Sequence, residues 1–182
     1  AVDAIAPESV LRLTMLFHDS GKPETFRYDA QAGFGRFPGH PAASARIADA
    51  ALRRLRCDNA ARERVLTLVE NHEMRTGHGK KDLRRLLAKI GEKSMRDLLL
   101  VRRVDAAAHA PEAAARLTAL ADEDERIINE ITAERGCLHV KDLAVSGNDL
   151  LALGMKPGSA VGDTLSRLLD LVLDEAVPNE KG

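Results

Sequence analysis

The sequence predicts an all-α protein, and three observations carry that prediction. Its apolar residues are mostly Leu, Ala and Val, with four Phe, one Tyr and no Trp, a composition suited to ridge-and-groove helix packing and poor for a β-sandwich. Apolar residues recur at spacings of three and four along most of the chain. Gly and Pro fall between these periodic stretches, where helices stop and start. A chain of 182 residues can bury a real core as one domain, or as one domain with a smaller appendage.

The elements follow in order. A first helix starts at Pro7, striped by Val10, Leu13, Leu16 and Phe17, and Gly21 and Pro23 stop it just past His18-Asp19. From Lys22 to Gly39 the period is lost. Gly33, Gly35, Pro38 and Gly39 mark a long loop with a short hairpin around Phe26 and Phe37, and a loop of that length is usually functional. Helices resume from Pro41 to Arg56, striped by Ile47, Ala51 and Leu55, and from Asn59 to Met74, where Val65, Leu68, Val69 and His72 share a face before Gly77 and Gly79. The next pair runs from Lys81 to Ile90 and from Ser94 to Ala110, parted by Gly91 and closed by Pro111. Glu112 to Arg135 reads as one long helix. After Gly136 the style changes: Ser146 and Asp149 form a capping box, and Pro157-Gly158-Ser159 opens a last helix striped by Val161, Leu165, Leu168 and Val172. The division expected is a helical domain over residues 1–117, then a connecting helix and small helical tail over 118–182.

The formal net charge of −1 provides no global field toward nucleic acid. A local patch remains: Lys80, Lys81, Arg84 and Arg85 begin a basic stretch that reads either as an RNA-backbone contact or as a solvated helix face. Cys57 and Cys137 lack CxxC or zinc-finger spacing, which suits a reducing cytosol and argues against a secreted disulfide framework. Apolar runs such as Leu98-Leu99-Leu100-Val101 are too short to span a bilayer, and no charged-then-apolar leader opens the chain. The expectation is a soluble, cytoplasmic protein without membrane contact, its oligomeric state open. Ala1 falls inside an amphipathic pattern, so a fragment with its start further upstream is also expected.

His18, Asp19, His40, His72 and Asp105 form the constellation that could carry chemistry. Imidazole and carboxylate together suit divalent metals such as Mn, Fe, Co, Ni, Zn or Mg. Helical neighbours diverge by roughly 100°, so His18 and Asp19 share an ion only if it lies against the helix flank between them. Asp19 could then bridge to a second ion, a pairing that sets water for in-line attack on phosphorus. Lys22 stands where an ammonium could touch a substrate phosphate or protonate a leaving oxygen, or where a plain surface lysine would sit. Blander roles exist too: His40 as a helix-start residue, His72 as a helix-end residue, Asp105 as partner of Arg102 or Arg103, and His109 as an ordinary neighbour one turn beyond it. His78 and His139 have no supporting context.

These residues carry a resemblance. His18-Asp19 within Leu-Phe-His-Asp-Ser-Gly-Lys-Pro, then Gly39-His40, Asn71-His72 and Val104-Asp105, is similar to the HD superfamily of metal-dependent phosphohydrolases, over about two thirds of the chain. The resemblance implies an HD helical bundle, with His18, Asp19, His40, His72 and Asp105 as metal ligands and Asp19 and Lys22 in catalysis. That family's pattern includes a further His upstream of the His-Asp pair, and His18 is the first histidine here. The tail string Ser146-Gly-Asn-Asp-Leu-Leu-Ala-Leu-Gly-Met-Lys-Pro-Gly, followed by a Leu-rich helix and Val177-Pro-Asn, looks like the C-terminal region of bacterial CCA-adding tRNA nucleotidyltransferases and poly(A) polymerase relatives. It implies tRNA or a nucleotide phosphate as substrate and an upstream nucleotidyltransferase head in the parent protein. No Gly-Ser followed by a paired Asp-x-Asp on a strand occurs, so nucleotide addition by this chain alone is not expected. The expected function is hydrolysis of phosphomonoesters or cyclic nucleotide phosphates; the alternatives are a silent HD scaffold that helps to bind tRNA, or a stand-alone nucleotide phosphohydrolase.

Overall fold

The computed structural model describes residues 2–31, 33–73, 79–134 and 136–181, and among these it is helical apart from one two-stranded hairpin. Two compact units form, Ala1–Thr76 with Glu92–Asp122, and Gly77–Gly91 with Glu123–Gly182.

In the first unit, helix α1 (Ser9–Phe17) buries Val10, Leu11, Thr14 and Met15. The stripe expected from the apolar spacing is thus rotated, and Leu16 is 59% exposed. Thr14 explains the difference: its hydroxyl donates to the Val10 carbonyl at 2.8 Å, so a polar residue is wholly buried at no hydrogen-bond cost. Leu11, Thr14, Met15 and His18 then follow i, i+3, i+4, i+7 spacing, which turns His18 inward.

Pro23, expected only to stop α1, lies in the first turn of a short helix, α2 (Lys22–Thr25). The hairpin follows as β1 (Arg27–Asp29) and β2 (Phe34–Arg36), antiparallel, with Tyr28 opposite Gly35. Helix α3 (His40–Arg54) buries His40, Ser44, Ala45, Ala48 and Leu52, whereas Leu55 of the expected stripe is 67% exposed. The inward side chains are small because α3 packs against both α1 and α4 (Asn59–Asn71), and small residues allow helices to approach closely. Asp58 caps α4 by accepting from the Ala61 amide. Val65, Leu68 and Val69 are buried on one face, as the periodicity requires. Met74 and Gly77, at the expected end of that segment, lie outside the described residues, as does His78.

Helix α5 (Lys80–Ala106) is interrupted at Gly91, where φ is 79° and ψ 161°, a backbone conformation that glycine adopts without strain. Residues beyond the break belong to the first unit and supply Met95, Leu98 and Leu99 to its core. Each fully buried side chain of this kind is worth about 1.5–3 kcal/mol of apolar burial. Arg64 ties α4 to α5 through Asp97 at 2.8 Å and reaches Glu8 at 3.0 Å. Pro111, read from the sequence as closing a helix, opens α6 (Pro111–Ala133).

The second unit buries Leu83, Leu87, Ile128, Ile131, Leu165 and Leu173. Helix α7 (Gly147–Ala152) carries the expected capping box, Ser146 and Asp149 each accepting from the other's backbone amide. Helix α8 (Ser159–Leu173) follows, and Asn179 fastens the end of the chain by accepting from the Ala144 amide and donating to the Asp142 carbonyl. His139 caps the short turn Val140–Asp142. Both thiols are free and half-buried.

Lys80, Lys81, Arg84 and Arg85 all meet carboxylates within this unit. Lys80 reaches Glu134 at 2.5 Å, Arg84 reaches Glu175 at 2.5 Å, and Lys81 and Arg85 grip Asp174 at 3.1 and 2.5 Å. Arg85, then Lys81, hold the Asp174 carboxyl at about 2, below its ordinary 3.8. A depressed folded pKa gives stability that is complete above the unfolded value and lost as pH falls through the folded one. Chemical denaturation of the wild-type chain is therefore expected to show stability declining from about pH 4 to about pH 2, with Asp174→Asn flattening part of that decline.

Candidate metal centre

The five residues singled out by spacing come from four helix ends in the first unit. His18 is the C-cap of α1, His40 opens α3 directly after Gly39, His72 is the C-cap of α4, and Asp105 stands in the last turn of α5. Gly39 has φ of 75°, which lets the hairpin turn straight into α3 with His40 facing inward.

Gly21 brings the His-Asp turn against α3. Its amide donates to Ser44 Oγ at 2.9 Å, and a Cβ there would lie 2.6 Å from the Ser44 nitrogen and 2.7 Å from the His40 carbonyl. Sequence reading took Gly21 only as a helix stop and missed Ser44. The available signal was the run of small residues Ala42-Ala43-Ser44-Ala45 one turn after His40.

The three imidazoles share one hydrogen-bonding arrangement that spacing did not reveal. His18 Nδ1 donates to the Met15 carbonyl at 2.9 Å, His40 Nδ1 to Phe37 at 3.1 Å, and His72 Nδ1 to Val69 at 2.7 Å, each three residues back. A carbonyl only accepts, so each Nδ1 carries hydrogen, and each ring turns its Nε2 toward the centre, where that atom is the one that would bind a metal ion.

Asp19 joins two groups. Its Oδ2 lies 3.3 Å from His18 Nε2 and 2.6 Å from Lys22 Nζ, while its Oδ1 lies 3.3 Å from His40 Nε2 and 3.6 Å from His72 Nε2. Asp105 Oδ1 completes the first group at 3.4 Å from His18 Nε2. His109 approaches the other oxygen of Asp105 at 3.6 Å, and Arg103 reaches Asp122 at 2.7 Å. Two sets result, His18-Asp19-Asp105 and Asp19-His40-His72, with ligand atoms within 4.8 Å of one another in each.

The electrostatics favour positive charge at this cluster. Burial works against charge on His18, yet Asp105 and Asp19 outweigh it and push the imidazole up to about 9. Burial likewise opposes ionisation of Asp19, and His18, His72 and Lys22 overcome it, holding the carboxyl far below its usual range. Contact with His18 lowers Asp105 against the opposing effect of burial. His18 Nε2 is buried without a hydrogen-bond partner, and His40 Nε2 faces His72 Nε2 at 3.1 Å, a contact that an N–H on one ring makes a hydrogen bond and that an ion held by both rings would replace. A donor set of imidazole and carboxylate without thiolate fits a divalent metal of borderline or hard character. A proton can stand in for part of that charge, so metal would bind in competition with it.

Fold and site together describe an all-helical protein with two adjoining His/Asp groups that could hold metal ions. The profile of the tRNA nucleotidyltransferase domain 2 family matches residues 43–182. The chain belongs to the tRNA nucleotidyltransferase family. It is 34% identical over 167 residues to the CC-adding tRNA nucleotidyltransferase of Thermus thermophilus, an alignment covering 90% of this chain and 36% of that protein. It is 29% identical over 164 residues to the A-adding tRNA nucleotidyltransferase of Deinococcus radiodurans, covering 88% of this chain and 37% of that one. The chain thus spans little more than a third of the curated relatives it matches. No solved structure matches it. Among the described residues, no helix is long and apolar enough to cross a membrane.

Proposed function

We propose that residues 1–117 form an HD-type, metal-dependent phosphohydrolase region and that 118–182 form the connecting helix and tail of a tRNA nucleotidyltransferase-like protein, working in the cytoplasm beside an upstream nucleotide-adding head. The observation that carries the reading is Asp19, whose two oxygens face two different ligand sets. His18, Asp19 and Asp105 would hold one divalent ion, and Asp19, His40 and His72 a second. When bound, such metals supply Lewis acidity that activates water near neutral pH and offsets charge building on phosphoryl oxygens.

The protein's own groups do the rest. The Met15, Phe37 and Val69 carbonyls fix the imidazoles in orientation, so little reorganisation is needed at the reacting centre. Lys22, held by Asp19 at the rim, binds a substrate phosphate oxygen and can pass a proton to the leaving oxygen. Substrates would be phosphomonoesters or cyclic nucleotide phosphates, including RNA ends. Lys80, Lys81, Arg84 and Arg85 would contact the RNA backbone where phosphate displaces their carboxylate partners.

A second reading, a silent scaffold that helps to bind tRNA, is favoured by relatives named for adding nucleotides rather than for hydrolysis. Metal analysis of the purified protein, followed by assay on 2′,3′-cyclic AMP and p-nitrophenyl phosphate, separates the two. Hydrolysis that chelator removes and Mn or Ni restores is expected; a metal-replete, inert protein supports the scaffold. A stand-alone hydrolase would hydrolyse nucleotides yet fail to bind tRNA at low salt.

A further inference from the structure

Four Phe and one Tyr are the whole aromatic set of this chain, and all but Phe17 lie between residues 26 and 37. Buried cores normally claim such residues. Here Tyr28 is 66% exposed, Phe34 54% and Phe26 47%.

The hairpin register separates them into two faces. Arg27, Asp29, Phe34 and Arg36 share one face, where the Arg36 guanidinium lies over the Phe34 ring at 5.1 Å and pairs with Asp29 at 3.1 Å. That face has its own cover. Phe26, Tyr28 and Phe37 share the other with Gly35, and the Phe26 ring lies so close over Gly35 that a side chain at that position would collide with it. The Phe26 and Phe37 ring centroids stand 5.6 Å apart, and Tyr28, paired across the strands with Gly35, is the most exposed of the three.

This second face runs into the metal centre. Lys22 Nζ, which bonds Asp19, lies 5.6 Å from the centre of the Phe37 ring, and Phe37 also meets His40 edge-on and accepts its Nδ1 hydrogen. Flat aromatic surface beside an ammonium matches a nucleotide, whose base stacks while its phosphate is held by charge. A lipid or protein partner would not account for that continuity with Lys22 and Asp19.

We propose that the Phe26-Tyr28-Phe37 face is a nucleobase-stacking platform, which seats the base of a nucleotide or single-stranded RNA end while its phosphate reaches Lys22 and Asp19. The phosphate part rests on the hydrolase reading; the stacking part does not.

Tyr28 makes this directly measurable, because it is the chain's one tyrosine and there is no tryptophan. Titration of the full chain with adenosine 5′-monophosphate, or with a short oligoadenylate at low salt, is expected to quench tyrosine emission after correction for nucleotide absorbance. Ribose 5-phosphate, with the same phosphate and no base, is expected to leave it unchanged. Measured by isothermal titration calorimetry, since both variants lack the fluorophore, Tyr28→Ala should weaken oligoadenylate binding by about ten-fold, within the range of one base–aromatic contact, and Tyr28→Phe should retain it. Emission unchanged through saturation, equal binding by Tyr28→Ala, or a response to phosphatidylglycerol vesicles but not to oligoadenylate would each overturn the platform. Quenching without any hydrolysis removes the hydrolase reading and leaves the platform in place; hydrolysis of 2′,3′-cyclic AMP without quenching does the reverse.

Discussion

Asp19→Asn is expected to strip the protein of tightly held divalent metal and to lower hydrolysis of 2′,3′-cyclic AMP by more than about 100-fold, beyond the 10–100-fold typical of outer-shell changes at metal sites. The reason is that one side chain serves two ligand sets, Oδ2 facing His18 and Oδ1 facing His40 and His72. An amide keeps one neutral oxygen and turns the other position into a donor, so whichever set receives the NH2 loses its anion and gains a group that opposes a cation. Asp105→Asn touches only the set that contains His18, and should leave the Asp19-His40-His72 set able to bind. Elemental analysis of the two variants side by side checks the claim. Full metal content in Asp19→Asn would remove it.

Gly21→Ala is expected to cost about 3 kcal/mol of stability, at the upper end of overpacking effects, and to weaken metal binding at the same time. Gly21 has an ordinary right-handed backbone, with φ of −83°, so the cost is not conformational. A methyl group would meet the Ser44 nitrogen, the Ala43 Cβ and the His40 carbonyl, two of them backbone atoms that no rotamer change can move aside. Either α3 shifts or the turn carrying His18 and Asp19 does, and each movement separates Asp19 from His40. A control is available in Gly79→Ala, where an added Cβ meets open space and the change should stay within about 0.5 kcal/mol. Urea denaturation and metal titration of both variants read the two effects. Equal stability of Gly21→Ala and wild type would show that the close approach at Ser44 does not matter.

Helix punctuation was open to reading because Gly and Pro act locally. Gly91, with its positive φ, parts α5 where the sequence put the break, and the Ser146-Asp149 box forms as its two side chains require. Helix faces were harder. Stripes drawn from large apolar residues pointed α1 by Leu16 and α3 by Leu55, and both side chains are mostly exposed. The faces that turned inward use Thr14, Ser44, Ala45 and Ala48, whose burial depends on a hydroxyl finding the Val10 carbonyl and on helices close enough to require small residues. The hydroxyl bond is local, one turn back in α1, but the close approach of the helices is not. The aromatic cluster was visible as a hairpin signal, but which ring faces Lys22 depended on strand register.

By itself the amino-acid order determined the helical class, the break at Gly91, and the five residues with ligand chemistry, because turn preference and donor type belong to single residues and their near neighbours. Tertiary structure alone decided that four helix ends meet, that the two oxygens of Asp19 look in different directions, and that three imidazoles are locked by carbonyls one turn back. The first two are facts about distance between remote segments, set by how closely α1, α3 and α4 can pack, and spacing along a chain holds no record of them; the carbonyl locks are local, but which ring nitrogen they leave facing the centre matters only once those segments meet.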